Sequence, residues 1–209
     1  MRVISFIITA IMIGGAAMAI DEPGYTVISQ NDDIEIREYE PYIVAETIIT
    51  GDFEDAGSDA FRILFRFISG NNVSNEKIEM TAPVNQEPVE SKGEKIDMTA
   101  PVVQEPVEDS PEKYMVGFVM PDKYTMDTVP KPKDERVSIR LVEARRVAVI
   151  SYSGTWSEER YKEHEKKLFE HMKAKELTAA GKPVFARYNS PMIPWFMRRN
   201  EIIVPVMPQ

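Results

Sequence analysis

An α+β fold, a curved antiparallel sheet or barrel carrying two helices, is predicted by three observations in this 209-residue chain. Most of it alternates apolar and polar residues with a period of two, the pattern of half-buried strands. The period changes to about 3.6 in two stretches, around residues 58–72 and 157–181. The order then runs strands, helix, strands, strands, helix, strands, so the two halves echo each other.

The elements follow in order. YTVIS from Tyr25, Asp33 to Tyr39 and Tyr42 to Gly51 read as strands. Asn31-Asp32 is a turn signal and Pro41 punctuates. Ser58 to Asn72 reads as a helix, with Ser58 or Asp59 as N-cap and Gly70-Asn71 as its end. Its apolar residues Ala60, Phe61, Ile63, Leu64, Phe65, Phe67 and Ile68 cover roughly 200° of the wheel, about twice the usual stripe. One edge therefore has more apolar surface than packing on a single sheet consumes.

Lys77 to Glu90 and Lys95 to Glu108 come next, identical at twelve of fourteen positions. In each copy apolar residues alternate: Ile78, Met80, Ala82 and Val84, then Ile96, Met98, Ala100 and Val102. Period two predicts strands with these residues on a buried face, and Ser91 to Glu94 a turn. Two copies are too few for a solenoid, which takes about three. The expectation is a hairpin, or two neighbouring strands, from a local duplication.

Strands are predicted over Lys113 to Pro121, Arg136 to Ala144 and Arg145 to Gly154, with a Pro- and charge-rich connection between Lys123 and Glu135. Ser157 should cap a second helix of about twenty residues running to Gly181, with Tyr161, Leu168, Phe169 and Met172 as its stripe. PVFARYN is a strand, SPMIPWFMRRN a Pro-broken loop, and EIIVPV closes the chain as a strand. In that loop WFMRRN combines Trp195 and Phe196 with Arg198 and Arg199 and is expected to lock the last strand, with a second surface patch as the alternative.

Composition sets limits. The formal charge is −9, and cysteine is absent, which rules out disulfides and thiolate metal sites. Arg2, the uncharged run from Val3 to Ile20 and the Ala17-Met18-Ala19 site describe a signal peptide over residues 1–19, with an uncleaved anchor as the alternative. The rest, 20–209, is one domain. Cleavage removes Arg2, leaving 24 Lys+Arg against 34 Asp+Glu, a charge of −10. Such a surface repels nucleic acid, so none is expected as a partner, and membrane contact is expected only through an uncleaved N-terminal segment.

KIEMTAPV with a following Gln, after the AFRILFRFISGNN helix, resembles the SOUL haem-binding family. EIREYEPYIVAET, VGFVMPDKY, VPKPKDERVSIR, RRVAVISYSGTWSEE and ARYNSPMIPWFMRRNE resemble that family's blocks in order, from about Pro23 to Val206. The resemblance implies a distorted antiparallel β-barrel, flanked by two helices and built from a duplicated strand–helix–strand unit. It also implies binding of haem or another tetrapyrrole in a shallow apolar cleft beside the first helix. Two departures stand out. SPMI follows ARYN where relatives often have Trp after the Pro. Some relatives ligate haem iron by a histidine in the early strands, and Asp21 to Gly51 contains none.

The first helix is the candidate site. Phe61, Ile63 and Phe65 supply an apolar edge, and Arg62 and Arg66, one turn apart, are candidates for the propionates of non-covalent haem. Replacing both arginines by Glu is then expected to weaken binding by at least about 2 kcal/mol. His164 and His171 are the only histidines; a rise of about 10 Å separates them along the helix, so they cannot share a metal. They are expected to be structural or surface residues, and haem to be held without a histidine ligand. Met80 and Met98 are expected in the core. No G-x-S-x-G, P-loop or dinucleotide fingerprint occurs. A hydrolase, or an effector-binding module for another apolar anion, is the alternative, and a cleft with two carboxylates within about 10 Å would favour the hydrolase.

Overall fold

The computed structural model describes residues 21–74, 93–108, 110 and 112–208. The candidate signal peptide and the whole of the first repeat copy lie outside the described residues. Within the described residues, no helix is long and apolar enough to cross a membrane.

In chain order the elements are β1 (Tyr25–Asn31), β2 (Ile34–Tyr39), β3 (Tyr42–Thr50), α1 (Phe53–Ile68), β4 (Asn72–Val73), β5 (Val102–Pro106), β6 (Lys113–Val119), β7 (Lys131–Pro132), β8 (Ser138–Val142), β9 (Arg145–Tyr152), α2 (Glu158–Ala174), β10 (Val184–Arg187), a 3-10 turn (Trp195–Met197) and β11 (Asn200–Pro205). Among the described residues, nine strands form one curled antiparallel sheet, ordered β1-β2-β9-β11-β10-β5-β6-β3-β8. Strands β1 and β8 are the edges of this described sheet, which makes it an α+β half-barrel. Asp32, at φ 53°, makes the β1–β2 turn.

Each helix covers one half of the outer face. α1 packs on β3 and β6, and α2 on β9 and β11. Strand β9 explains how: Ala148 and Ile150 face α2 with Leu168, Met172, Ile202 and Val204, while Val147 and Val149 face inward with Val184, Ala186 and Ile203. Because alternate residues take opposite faces, RRVAVISY has to be apolar on both. A second core lies under α1, around Leu64, Phe67, Val116 and Phe118. Phe53 belongs to the α2 core although it starts α1, stacking on Tyr161 at 5.0 Å and Phe185 at 5.4 Å.

The inner face holds a buried ion cluster. Arg37 donates to both Glu201 oxygens at 2.9 and 3.0 Å. Tyr188 and Ser151 also donate to Glu201, at 2.6 and 3.0 Å, and Arg199 reaches it at 2.9 Å. Burial alone would raise the Glu201 carboxyl, but these bonds and charges outweigh it and hold the group below its ordinary range.

Four expectations are corrected. α1 begins at Phe53 behind Asp52, not at Ser58, because Phe53 and Ala56 are buried and carry the helix a turn and a half further back. α2 ends at Ala174, where Glu176 turns left-handed at φ 56°, well short of Gly181. Lys95 to Ala100 is not a strand of the sheet. Its amides take scattered partners instead, Ile96 N–H to Ile68 O and Ala100 N–H to Asp21 O, and β5 starts only at Val102. Ile96 and Ala100 are buried there, but Met98 is half exposed rather than in the core. Of the residues expected to lock the last strand, Arg199 joins Glu22 and Glu201, while Trp195 and Phe196 project into solvent.

Candidate functional site

A groove opens where α1, β5 and β10 meet the loops at that end of the sheet. Gly57, Ser58 and Phe61 line it from α1, Met98, Thr99, Ala100 and Val102 from the chain entering β5, and Trp156 from the β9–α2 connection. Arg187 to Pro191 complete it. Its volume is about 320 Å³. Gly57 and Phe61 are four residues apart, so both fall on one face of α1. Phe65 continues that face outward, stacked on Phe61 at 5.6 Å.

Arg187 is the charged residue of this lining. It shares a strand face with Phe185, directed toward the helices. Its Nη2 donates to Gln104 Oε1 at 2.8 Å, and Gln104 Nε2 donates to Phe53 O at 2.8 Å, so α1 and β10 are tied through β5. The guanidinium carbon lies 4.9 Å from the Phe185 ring centre and 5.4 Å from that of Trp156. Its Nε is buried with no hydrogen-bond partner, and no described carboxylate pairs with it. Burial pushes this guanidinium down to about 10, only partly offset by the more distant charges of Tyr152 and Glu54. At neutral pH it stays protonated, a desolvated cation without a counter-ion. Gly57 makes room for it: a Cβ there would overlap Arg187 Nη1.

The other walls are fixed by their own bonds. Trp156 Nε1 donates to Asn200 Oδ1 at 2.9 Å, and Arg198 lies 4.3 Å from its ring centre. Tyr188 is held by Glu201 below and covered by Arg199, 3.8 Å from its ring centre.

The five residues proposed from sequence do not form one patch. Phe61 lines the groove and Phe65 extends it. Arg62, Ile63 and Arg66 line a separate, flatter hollow with Ile48, Ile49 and Arg136. At about 100° per residue, Ile63 sits roughly 160° round the helix from Phe65, with the two arginines between. Arg62 is bonded to Asp59, and Arg136 pairs with Asp134 at 2.6 Å. His164 is buried, its Nδ1 2.8 Å from Arg160 O and its ring 3.9 Å from that of Tyr152. His171 lines a hollow between α2 and β1–β2. Neither histidine lines the Arg187 groove, and none of the groove's lining residues is Asp or Glu.

Sequence reasoning missed Arg187, Trp156 and Gln104. A signal for the first was present: in PVFARYN, Arg187 occupies the same strand face as Phe185, a charge where the pattern calls for an apolar residue.

Comparison with known proteins gives one family. The family described as SOUL heme-binding protein matches twice, over residues 20–93 and 85–205. No curated protein matches. Among solved structures, the C-terminal domain of EcmrR is similar over 88% of this chain and 99% of its own, at TM-score 0.60 and 8% identity. A hydrolase from Listeria innocua covers 86% of this chain and 94% of its own, at TM-score 0.50 and 13% identity. At such identities the likeness is one of fold.

Proposed function

The chain belongs to the SOUL haem-binding protein family, and from that premise we propose that it binds haem or a related tetrapyrrole in the Arg187 groove. The observation that carries this reading is Arg187 itself, a buried cation with an unmet Nε–H in a lining that is mostly apolar and otherwise uncharged. A tetrapyrrole brings the complement, a flat apolar face and ionised carboxylates. Phe61, Val102 and Trp156 would meet the face, with Arg187 receiving a propionate through a charge-assisted bond.

The fit is partial in a useful sense. At about 320 Å³ the groove is at the small end of ligand sites. It suits one edge of a macrocycle, with the remainder lying outward along Phe65. Met98 and Tyr188 are the lining residues whose side chains can ligate iron. The Tyr188 hydroxyl is committed to Glu201, which leaves the Met98 thioether, a weak ligand, and no histidine. Shallow enclosure and weak ligation favour exchange over permanent retention, the behaviour of a carrier, buffer or scavenger. The uncharged Val3 to Ile20 segment supports placing that role outside the cytoplasm, after export.

The test is a haem titration of the full chain, followed at the Soret band. Saturation at about one haem per chain with a micromolar-range Kd is expected. His164→Ala combined with His171→Ala should leave spectrum and affinity unchanged. A titration without saturation overturns the reading. The hydrolase alternative asked for paired carboxylates at the cleft, and the groove's lining residues supply none.

A further inference from the structure

The loop between β10 and β11 holds large apolar side chains in water. Met192 is 92% exposed, Trp195 58%, Phe196 60% and Met197 65%. This is a built loop rather than a slack one. Ile193 N–H bonds to Ser190 O at 3.0 Å and Met197 N–H to Pro194 O at 2.9 Å. Arg198 reaches back across the loop, Nε to Ile193 O at 2.7 Å and Nη2 to Pro191 O at 2.8 Å. Trp195 and Phe196 meet edge to face at 5.7 Å. A preorganised loop with its apolar side chains outward loses little conformational freedom on docking.

We infer that the Met192–Met197 loop docks into the interfacial layer of a phospholipid bilayer, with the mouth of the Arg187 groove turned toward the lipid. Three observations select lipid. Indole and phenyl rings beside methionine suit the boundary between headgroups and acyl chains. The loop's base offers a cation where phosphates would lie: the Arg198 guanidinium bonds only the carbonyl oxygens of Ile193 and Pro191 and pairs with no described carboxylate, whereas Arg199 beside it is already paired with Glu22 and Glu201. The third is where the uncharged Val3 to Ile20 segment connects. Asp21 O accepts from Ala100 N–H at 3.0 Å and Glu22 is held by Arg199, so Asp21, the residue that follows that stretch in sequence, is fixed at the loop's base. Ser190 and Pro191 line the groove and lead into the loop, so the two share one surface. An apolar ligand could then pass between groove and bilayer without crossing water. The docking itself does not depend on the ligand being haem.

The absence of cysteine allows a clean test. The full chain carrying Met192→Cys takes a single environment-sensitive fluorophore, and Glu170→Cys, on the exposed face of α2, takes the same label as control. With phosphatidylcholine vesicles, which avoid repelling a chain of charge −9, the Met192 label should shift to the blue and brighten while the Glu170 label stays water-like. Adding Trp195→Ser and Phe196→Ser, with an unchanged far-ultraviolet spectrum, should raise the lipid concentration needed for half the shift by about tenfold or more. A Met192 label that stays water-like at saturating lipid overturns the inference, including the case where the chain binds vesicles through its N-terminal segment alone. So does an unchanged midpoint in the double Ser variant. A shift that grows with protein concentration in the absence of lipid also overturns it, and makes a second copy the occupant.

Discussion

Arg187 and Arg37 are both largely buried arginines, and they differ in what surrounds them. Arg37 is bonded to both Glu201 oxygens, whereas Arg187 has one neutral amide oxygen and two aromatic faces. A buried cation without a counter-ion contributes little to stability, while removing one partner of a buried pair costs about 3–5 kcal/mol. Arg187→Gln, which keeps a donor near Gln104, is therefore expected to leave the melting temperature unchanged or raise it, as calorimetry can check. Glu201→Gln should lower it markedly at neutral pH. The Glu201 carboxyl ionises at lower pH in the folded chain than in the unfolded one. Its contribution is therefore fully present above the ordinary carboxylate range and is lost as pH falls through the folded value. The stability gap between wild type and Glu201→Gln should accordingly close on acidification. Gly57→Ala should displace Arg187 and weaken haem binding with little loss of helix content, since Ala is the better helix former. Phe61 was legible in the sequence as excess apolar surface on a helix. Arg187 showed in the sequence only as a charge on an apolar strand face; its site was not legible, because the groove exists only once β10 pairs with β5 and brings residues 104 and 187 together.

At the scale of elements, the periodic signals located both helices, and local punctuation misplaced their ends. Ser58 and Asp59 are good capping residues, and the apolar period is clear only from Ala60 onward. Gly57 is a helical residue whose missing side chain leaves space for Arg187. The true first turn is recruited by tertiary contacts, through Phe53 between Tyr161 and Phe185. Phe53→Ala should therefore cost about 3–5 kcal/mol in denaturant unfolding, as a core aromatic does. A loss under about 1 kcal/mol would mean that α1 does not need this anchor. The second repeat copy misled in a different way. Its period of two is real in sequence, but Ile96 and Ala100 are buried while Met98 is half exposed at the groove. Alternation predicts a shared face only while the chain stays in one flat ladder, and this segment gives its amides to Ile68 and Asp21 instead.

Over the whole molecule, two helix-covered halves share one curled sheet, and the groove lies at their joint, between the start of α1 and the end of β10. The order of elements and the apolar two-faced strands made that architecture legible; its open edges and the groove depend on long-range register, which local patterns do not encode. Two arginine sets now compete for the ligand's carboxylates, Arg62 with Arg66 on the flat hollow and Arg187 in the groove. Haem titration of three proteins side by side separates them: wild type, Arg187→Gln, and Arg62→Glu with Arg66→Glu. Losing a charge-assisted bond costs roughly 1.5–3 kcal/mol, so Arg187→Gln should raise Kd about tenfold or more, while the double Glu variant stays within about twofold of wild type. The reverse pattern, with Arg187→Gln binding like wild type and the double Glu variant failing to bind, would contradict the account and move the site to the far side of α1.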